Sequence, residues 1–132
     1  MCNAKGISKI FSSLYILILI LNRGKGNEFD CDVDFEEKID IKKYIDKNNR
    51  NNCPNEYELI GVISHLGESS MNGHFIADYK HFDGKWYCFN DSSVPPIYKY
   101  SQKGTPYILF YQYSELKNDL LNICIYLVVF IF

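Results

Sequence analysis

The sequence predicts an α+β domain that is mostly antiparallel β, and three observations carry that prediction. Residues 57–91 alternate apolar and polar side chains around two turn signals, the pattern of strand, loop, strand, tight turn and strand. Two aliphatic runs, 14–21 and 107–111, have the length and composition of buried strands. The 132 residues also include 11 Tyr and 9 Phe, side chains that suit a sheet-rich core. A chain of this length holds one domain at most.

Taken in order, residues 1–13 form a short mixed N-terminal segment. Lys5 and Lys9 before the apolar run 14–21 imitate a secretion signal. The following Asn22-Arg23-Gly24-Lys25-Gly26 offers no small-residue cleavage site, and eight apolar residues are too few for a membrane span. A strand buried on both faces is the expectation for 14–21, with a signal or anchor as the alternative. Gly24 and Gly26 suit a hairpin turn, and 29–33 alternates like the returning strand. Residues 40–46 read as a short helix capped by Asp40. Residues 47–55 read as a solvated, Asn-rich loop broken by Pro54.

In the central stretch, Leu59-Ile60-Gly61-Val62-Ile63 leads to Ser64-His65, and 67–73 reads as a polar loop. Gly73-His74-Phe75 opens a strand through Tyr79. After the Asp83-Gly84 signal, 85–89 forms another strand that ends in Asn90-Asp91. Trp86 is expected as a core anchor, Lys80 and Lys85 as solvated, and His81 as a surface residue beside the turn. Ser92 to Pro96 is a turn region. Beyond residue 112, Ser114-Glu115-Leu116 could start a helix, and 120–132 is almost wholly apolar. As a helix this tail covers about 20 Å, short of the ~30 Å hydrocarbon core, so a docked terminus is expected over an anchor.

The chemistry of the stretch turns on whether His74 and Asn90 touch. A two-residue turn at Asp83-Gly84 puts Ala77 opposite Asn90, and Asn90 then points away from His74. A three-residue turn of Phe82-Asp83-Gly84, with Gly84 left-handed as a bulge, puts Ile76 opposite Asn90 instead. His74 is then one diagonal step away on the same face, roughly 7–8 Å. A histidine oriented by an amide is the base half of a nucleophile–base–orienter site, and that reading requires the bulged turn.

Here the residues resemble a family. Tyr57, Leu59, Gly61, Val62, His65, Gly67, Gly73, His74, Trp86, Phe89, Asn90, Asp91 and Val94 stand in the order of the histidine box of the ubiquitin-specific proteases, which are papain-like cysteine deubiquitinases. Phe75 replaces the box's commoner Tyr. Upstream, Leu21-Asn22-Arg23-Gly24-Lys25-Gly26, Phe35-Glu36 and Ile39-Asp40-Ile41 resemble further elements of the family. Downstream, Tyr107 to Tyr111 resembles its closing strand, with Pro106 replacing the usual Ala.

The resemblance implies that His74 is the general base, Asn90 its orienting partner, and Asp91 an aid to polarising water or the oxyanion. It implies substrate contacts from the loop between the histidines, at Gly67, Ser69, Ser70 and Gly73. His65 divides between packing and support of that substrate site. Ubiquitin or a ubiquitinated protein is the partner implied. The expected division is 1–13 N-terminal segment, 14–112 partial catalytic domain and 113–132 apolar tail.

The family's nucleophile lies in a Gly-Asn-Thr-Cys-like box upstream. None of Cys2, Cys31, Cys53, Cys88 and Cys124 has that setting. The chain is therefore expected to be the C-terminal, palm-like sheet portion of a papain-like cysteine protease, with the helical lobe and the nucleophile missing. A catalytically dead ubiquitin-binding remnant is the alternative, and a small membrane-attached protein a third reading. No pair of cysteines has C-x-x-C spacing, so no zinc ribbon is visible, and neither metal nor cofactor is expected. An odd cysteine count points to reduced thiols in the cytoplasm, with the nucleus as a second compartment. The net charge of −2 gives no electrostatic case for nucleic acid.

Overall fold

A computed structural model describes residues 9–11, 15–21, 33–49, 51, 53–69, 72–100, 103–115 and 126–131. Within them one sheet carries the strands β1 (Ile16–Leu21), β2 (Lys38–Asp40), β3 (Glu56–Ser69), β4 (Asn72–Lys80), β5 (Trp86–Phe89), β6 (Pro96–Ile97), β7 (Thr105–Tyr113) and β8 (Tyr126–Ile131). Their order is β6-β5-β4-β3-β7-β1-β8, with β2 paired to β3. Every pairing is antiparallel except β1 with β8, which is parallel. The sheet-dominated class expected from the sequence is the class observed.

One face of the sheet carries the core. Leu17, Tyr57, Leu59, Val62, Trp86, Leu109 and Tyr111 are buried there, joined by Ile41, Ile45 and Tyr100 from the segments that cross it. The covering segments are tied on by polar contacts. The Tyr111 hydroxyl donates to the Glu36 carbonyl at 2.8 Å, and Lys99 Nζ meets Glu37 Oε1 at 2.7 Å. Trp86 packs against the Tyr100 ring, 5.5 Å between centroids, so it is the core anchor its bulk suggested.

Strand β3 is long enough to need correction along its length. Against β7 the register steps between Leu59 and Gly61, where Ile60 is the extra residue. The inward set therefore switches from Tyr57 and Leu59 to Val62 and Ser64, all of them buried. A second step, with Tyr107 as the extra residue on β7, returns the register before His65. The bulges let one strand serve the core at one end and the site at the other.

Several sequence expectations change. The polar stretch 67–73 is not an open loop: β3 runs through Ser69 and β4 restarts at Asn72, so most of it continues a hairpin. Residues 40–46 hold only a 3-10 turn, Lys42–Tyr44. Asp40 still acts there, because its Oδ1 accepts from the Lys42 N–H at 2.8 Å. Strand β1 buries Leu17 and Leu21 fully but leaves its other face half-exposed, so it is not buried on both sides. Lys80 is not simply solvated, since its Nζ pairs with Glu58 Oε1 at 2.6 Å. In the tail, 114–115 form a turn and 126–131 a strand. The expected hairpin at Gly24 and Gly26 and residues 29–32 of the expected strand 29–33 lie outside the described residues, and Val33 is not in a strand. Among the described residues no helix is long and apolar enough to cross a membrane.

Candidate active site

The turn between β4 and β5 sets the geometry of the site. His81 N donates to the Lys85 carbonyl at 2.7 Å and Gly84 N to the His81 carbonyl at 2.9 Å, which closes a loop of Phe82, Asp83 and Gly84. Gly84 has φ +85°, the left-handed position that a glycine occupies without a Cβ clash. The Asp83 carboxylate accepts from the Lys85 N–H at 3.0 Å, and this contact holds the Asp83 carboxyl below its ordinary range. The resulting register pairs Ala77 with Phe89 and Asp78 with Cys88. Asn90 then falls level with Ile76, one diagonal step from His74, as the three-residue turn requires.

The second tight turn fixes Asn90 itself. Asn90 N donates to the Ser93 carbonyl and Ser93 N to the Asn90 carbonyl, each at 2.9 Å. Asn90 thus sits at the neck of a two-residue turn whose first residue, Asp91, has φ +50°. Aspartate tolerates that conformation better than most side chains.

His74 Nε2 and Asn90 Oδ1 lie 2.6 Å apart. An amide oxygen can only accept, so Nε2 carries the proton and the Nδ1 lone pair is left to take one. Asp91 Oδ2 lies 3.9 Å from the same nitrogen. That is too long for a hydrogen bond, and it leaves an acidic group beside the ring. The His74 side chain is 41 % exposed, so a substrate can reach it.

The residues expected to contact substrate fare differently. His65 is 3 % exposed and its ring lies inside, against Phe75 and Tyr107, so of its two expected roles it has the packing one and is no direct substrate contact. Gly67 and Gly73 were expected to give a peptide close approach. The space left by their missing side chains is instead taken by the protein: a Cβ on Gly67 would lie 2.5 Å from the Asn72 carbonyl oxygen, and one on Gly73 would lie 2.2 Å from the His65 ring. The Ser69 backbone pairs with Asn72 at the end of the hairpin, and Ser70 lies outside the described residues. Sequence reasoning overlooked Gly104, which has φ +80° and no room for a side chain beside the His65 carbonyl. The Lys103-Gly104 step before an aliphatic run was the available signal.

Of the described cysteines, Cys53 and Cys88 are free thiols. Cys88 stands across from Asp78. Burial, and then its hydrogen bond to the Asp78 carboxylate, push the thiol up to about 11. A thiol held protonated in this way is a poor nucleophile. Cys2, Cys31 and Cys124 lie outside the described residues.

Comparison with known proteins places this geometry in a wider set. The sequence profile described as ubiquitin carboxyl-terminal hydrolase matches residues 10–111. Human ubiquitin carboxyl-terminal hydrolase 37 is 30 % identical over 119 residues, covering 85 % of this chain and 12 % of the relative. Mouse ubiquitin carboxyl-terminal hydrolase 17-like protein B is 31 % identical, covering 86 % of this chain and 25 % of the relative. The chain thus spans a quarter or less of the length of these relatives. Among solved structures, the Ubp8-Sgf11-Sgf73-Sus1 SAGA DUB module aligns with a TM-score of 0.62 at 34 % identity, over 79 % of this chain and 25 % of that one. The Ubp8(C146A) form bound to monoubiquitin aligns with a TM-score of 0.60 at 34 % identity, over 74 % of this chain and 23 % of that one.

Proposed function

We propose, from the premise that this chain belongs to the ubiquitin carboxyl-terminal hydrolase family, that it supplies the base-and-orienter part of a cysteine deubiquitinase. The complete enzyme cleaves the bond that follows the C-terminal glycine of ubiquitin. The reading rests on one observation above all, the 2.6 Å contact between His74 Nε2 and Asn90 Oδ1.

In this mechanism Nδ1 of His74 takes the proton of a cysteine thiol as the thiolate attacks the scissile carbonyl. The Asn90 oxygen keeps Nε2 protonated and holds the ring in plane for that transfer. The imidazolium then gives its proton to the leaving amine, and Asp91 steadies the charge in the interval. The thiol comes from a cysteine box that these 132 residues do not contain, at a helix N-terminus where the dipole lowers its pKa. Free thiols at Cys53 and Cys88 fit a reducing compartment, the cytoplasm or the nucleus.

The test is a chimera in which residues 10–111 replace the matching stretch of ubiquitin carboxyl-terminal hydrolase 37. Turnover of a fluorogenic ubiquitin substrate, abolished by His74→Ala, is the expected result. The 132-residue chain alone is expected to show no turnover and no labelling by a ubiquitin vinyl sulfone. Robust hydrolysis by the chain alone, lost in Cys2→Ala, would overturn this assignment of roles. A second reading, a ubiquitin-binding portion with no catalytic part, rests on the absence of the cysteine box from these residues. An inert chimera that still binds ubiquitin would select it.

A further inference from the structure

Three glycines crowd His65: Gly67 on its own strand and Gly73 on β4 beside the ring, and Gly104 just before β7 beside its carbonyl. A Cβ on Gly73 would lie 2.2 Å from both Cε1 and Nε2 of His65. One on Gly67 would lie 3.0 Å from Cε1, and one on Gly104 would lie 2.4 Å from the His65 carbonyl oxygen. A real Cβ does not come so close to a neighbour, so at Gly67 and Gly73 the imidazole occupies space that side chains would otherwise fill, while Gly104 admits the His65 backbone. The ring is also held by two aromatic neighbours. Its centroid lies 4.8 Å from that of Phe75 and 5.9 Å from that of Tyr107, and Phe75 and Tyr107 meet edge to face at 5.3 Å.

Two of these neighbours, Gly73 and Phe75, flank His74 in sequence. His65 is moreover the direct cross-strand partner of Phe75, and Leu66 the partner of His74. The ring therefore bears on the backbone immediately before and immediately after the candidate base. Its own face of the sheet is opposite to that of His74, so it touches neither the His74 imidazole nor a substrate there.

We propose that His65 is a positioning residue, a rigid spacer beneath β4 that sets the direction of the His74 side chain and so keeps Nε2 within hydrogen-bond reach of Asn90. The proposal rests on the base-and-orienter reading and extends it to a residue that acts through another. A flat slot between Gly67, Gly73, Phe75 and Tyr107 explains why a planar ring is used. An aliphatic side chain of similar volume cannot lie between the Gly73 backbone and the Phe75 and Tyr107 rings without opening them.

The 132-residue chain itself can be tested by solution NMR. The readout is the His74 Nε2–H resonance and its rate of exchange with water. In the unaltered chain this proton is slowed by its bond to Asn90. His65→Ala is expected to speed its exchange at least about tenfold, which corresponds to about 1.4 kcal/mol of lost hydrogen-bond population. The Trp86 indole N–H reports separately that the sheet is folded. A folded His65→Ala chain with unaltered exchange would overturn the proposal. Should His65→Ala not fold, Tyr107→Leu loosens the ring from the far side, and unaltered exchange in that folded variant would equally overturn it. Failure of the underlying reading looks different: the unaltered chain would then show no slowed His74 proton at all.

Discussion

The two ends of strand β4 carry two polar pairs built from similar materials and put to different uses. At one end His74 meets Asn90 at 2.6 Å, and at the other Lys80 meets Glu58 at 2.6 Å. Six residues separate them, roughly 20 Å of extended chain. The His74 side chain is 41 % exposed and its partner sits on a turn at the surface. Lys80 and Glu58 are 22 % and 18 % exposed, beside an open cleft of about 360 Å³ lined also by Tyr79, Phe82 and Gln112. The distance is the same, and the surroundings decide the role. A half-buried charge pair is mainly structural, because removing one partner strands the other in a poor solvent. An exposed imidazole with one nitrogen occupied and one free is suited to moving a proton.

That contrast can be broken experimentally. The largest expected effect is on catalysis at the His74 end. In the chimera described above, His74→Ala should lower kcat/KM by about 10³-fold, within the range for a lost general base, and Asn90→Ala by less, since the base remains. The unfolding free energy from denaturant titration should stay within about 0.5 kcal/mol of the parent in both, as for other exposed substitutions. Lys80→Met should give the opposite pattern. Denaturant titration should show a loss of about 1–2 kcal/mol, between the values for exposed and buried pairs, with kcat/KM unchanged. Equal effects of both substitutions on activity would remove the distinction between the two ends.

A smaller effect concerns pH and lies between the two ends, at Cys88. Its thiol is raised from 9.0 to about 11 by burial and by Asp78. The folded state therefore holds this proton where the unfolded chain has released it. The contribution is fully present below pH 9 and is lost as pH rises through about 11. Stability measured from pH 8 to 11.5 should fall over that interval. Cys88→Ser should flatten the fall without changing the His74 Nε2–H signal.

The part of this arrangement legible in the sequence is the part governed by local rules. The turn at Phe82, Asp83 and Gly84 can be chosen because strand parity leaves two options, and only one aligns Asn90 with His74. The aliphatic runs at β1 and β7 declare themselves through their length and branching. What stayed hidden depends on pairings across long separations. The extra residues Ile60 and Tyr107 look like any other strand residues, and only the register between β3 and β7 makes them bulges. The link from Lys80 to Glu58 joins positions 22 apart in sequence. The packing around His65 draws on Gly104, which arrives just before β7, so motif spacing alone left the histidine divided between packing and support. The apolar tail, read as a docked terminus, shows its strand 126–131 only through its pairing with β1.

The pairing of β1 with β7 has a consequence for the newly made chain. Ile16 finds its partner in Gln112, and Ile20 in Ile108. During synthesis the aliphatic strand at 16–21 emerges first of the pair, and almost ninety residues must follow before its neighbour leaves the ribosome. Over that interval it is a sticky ribbon with unmet backbone groups, a target for holdase chaperones and a seed for aggregation. Such a topology folds slowly, because a large loop must close before the contact that rewards it. Pausing of the ribosome between these strands should therefore lower the soluble yield of this protein more than a pause after β7.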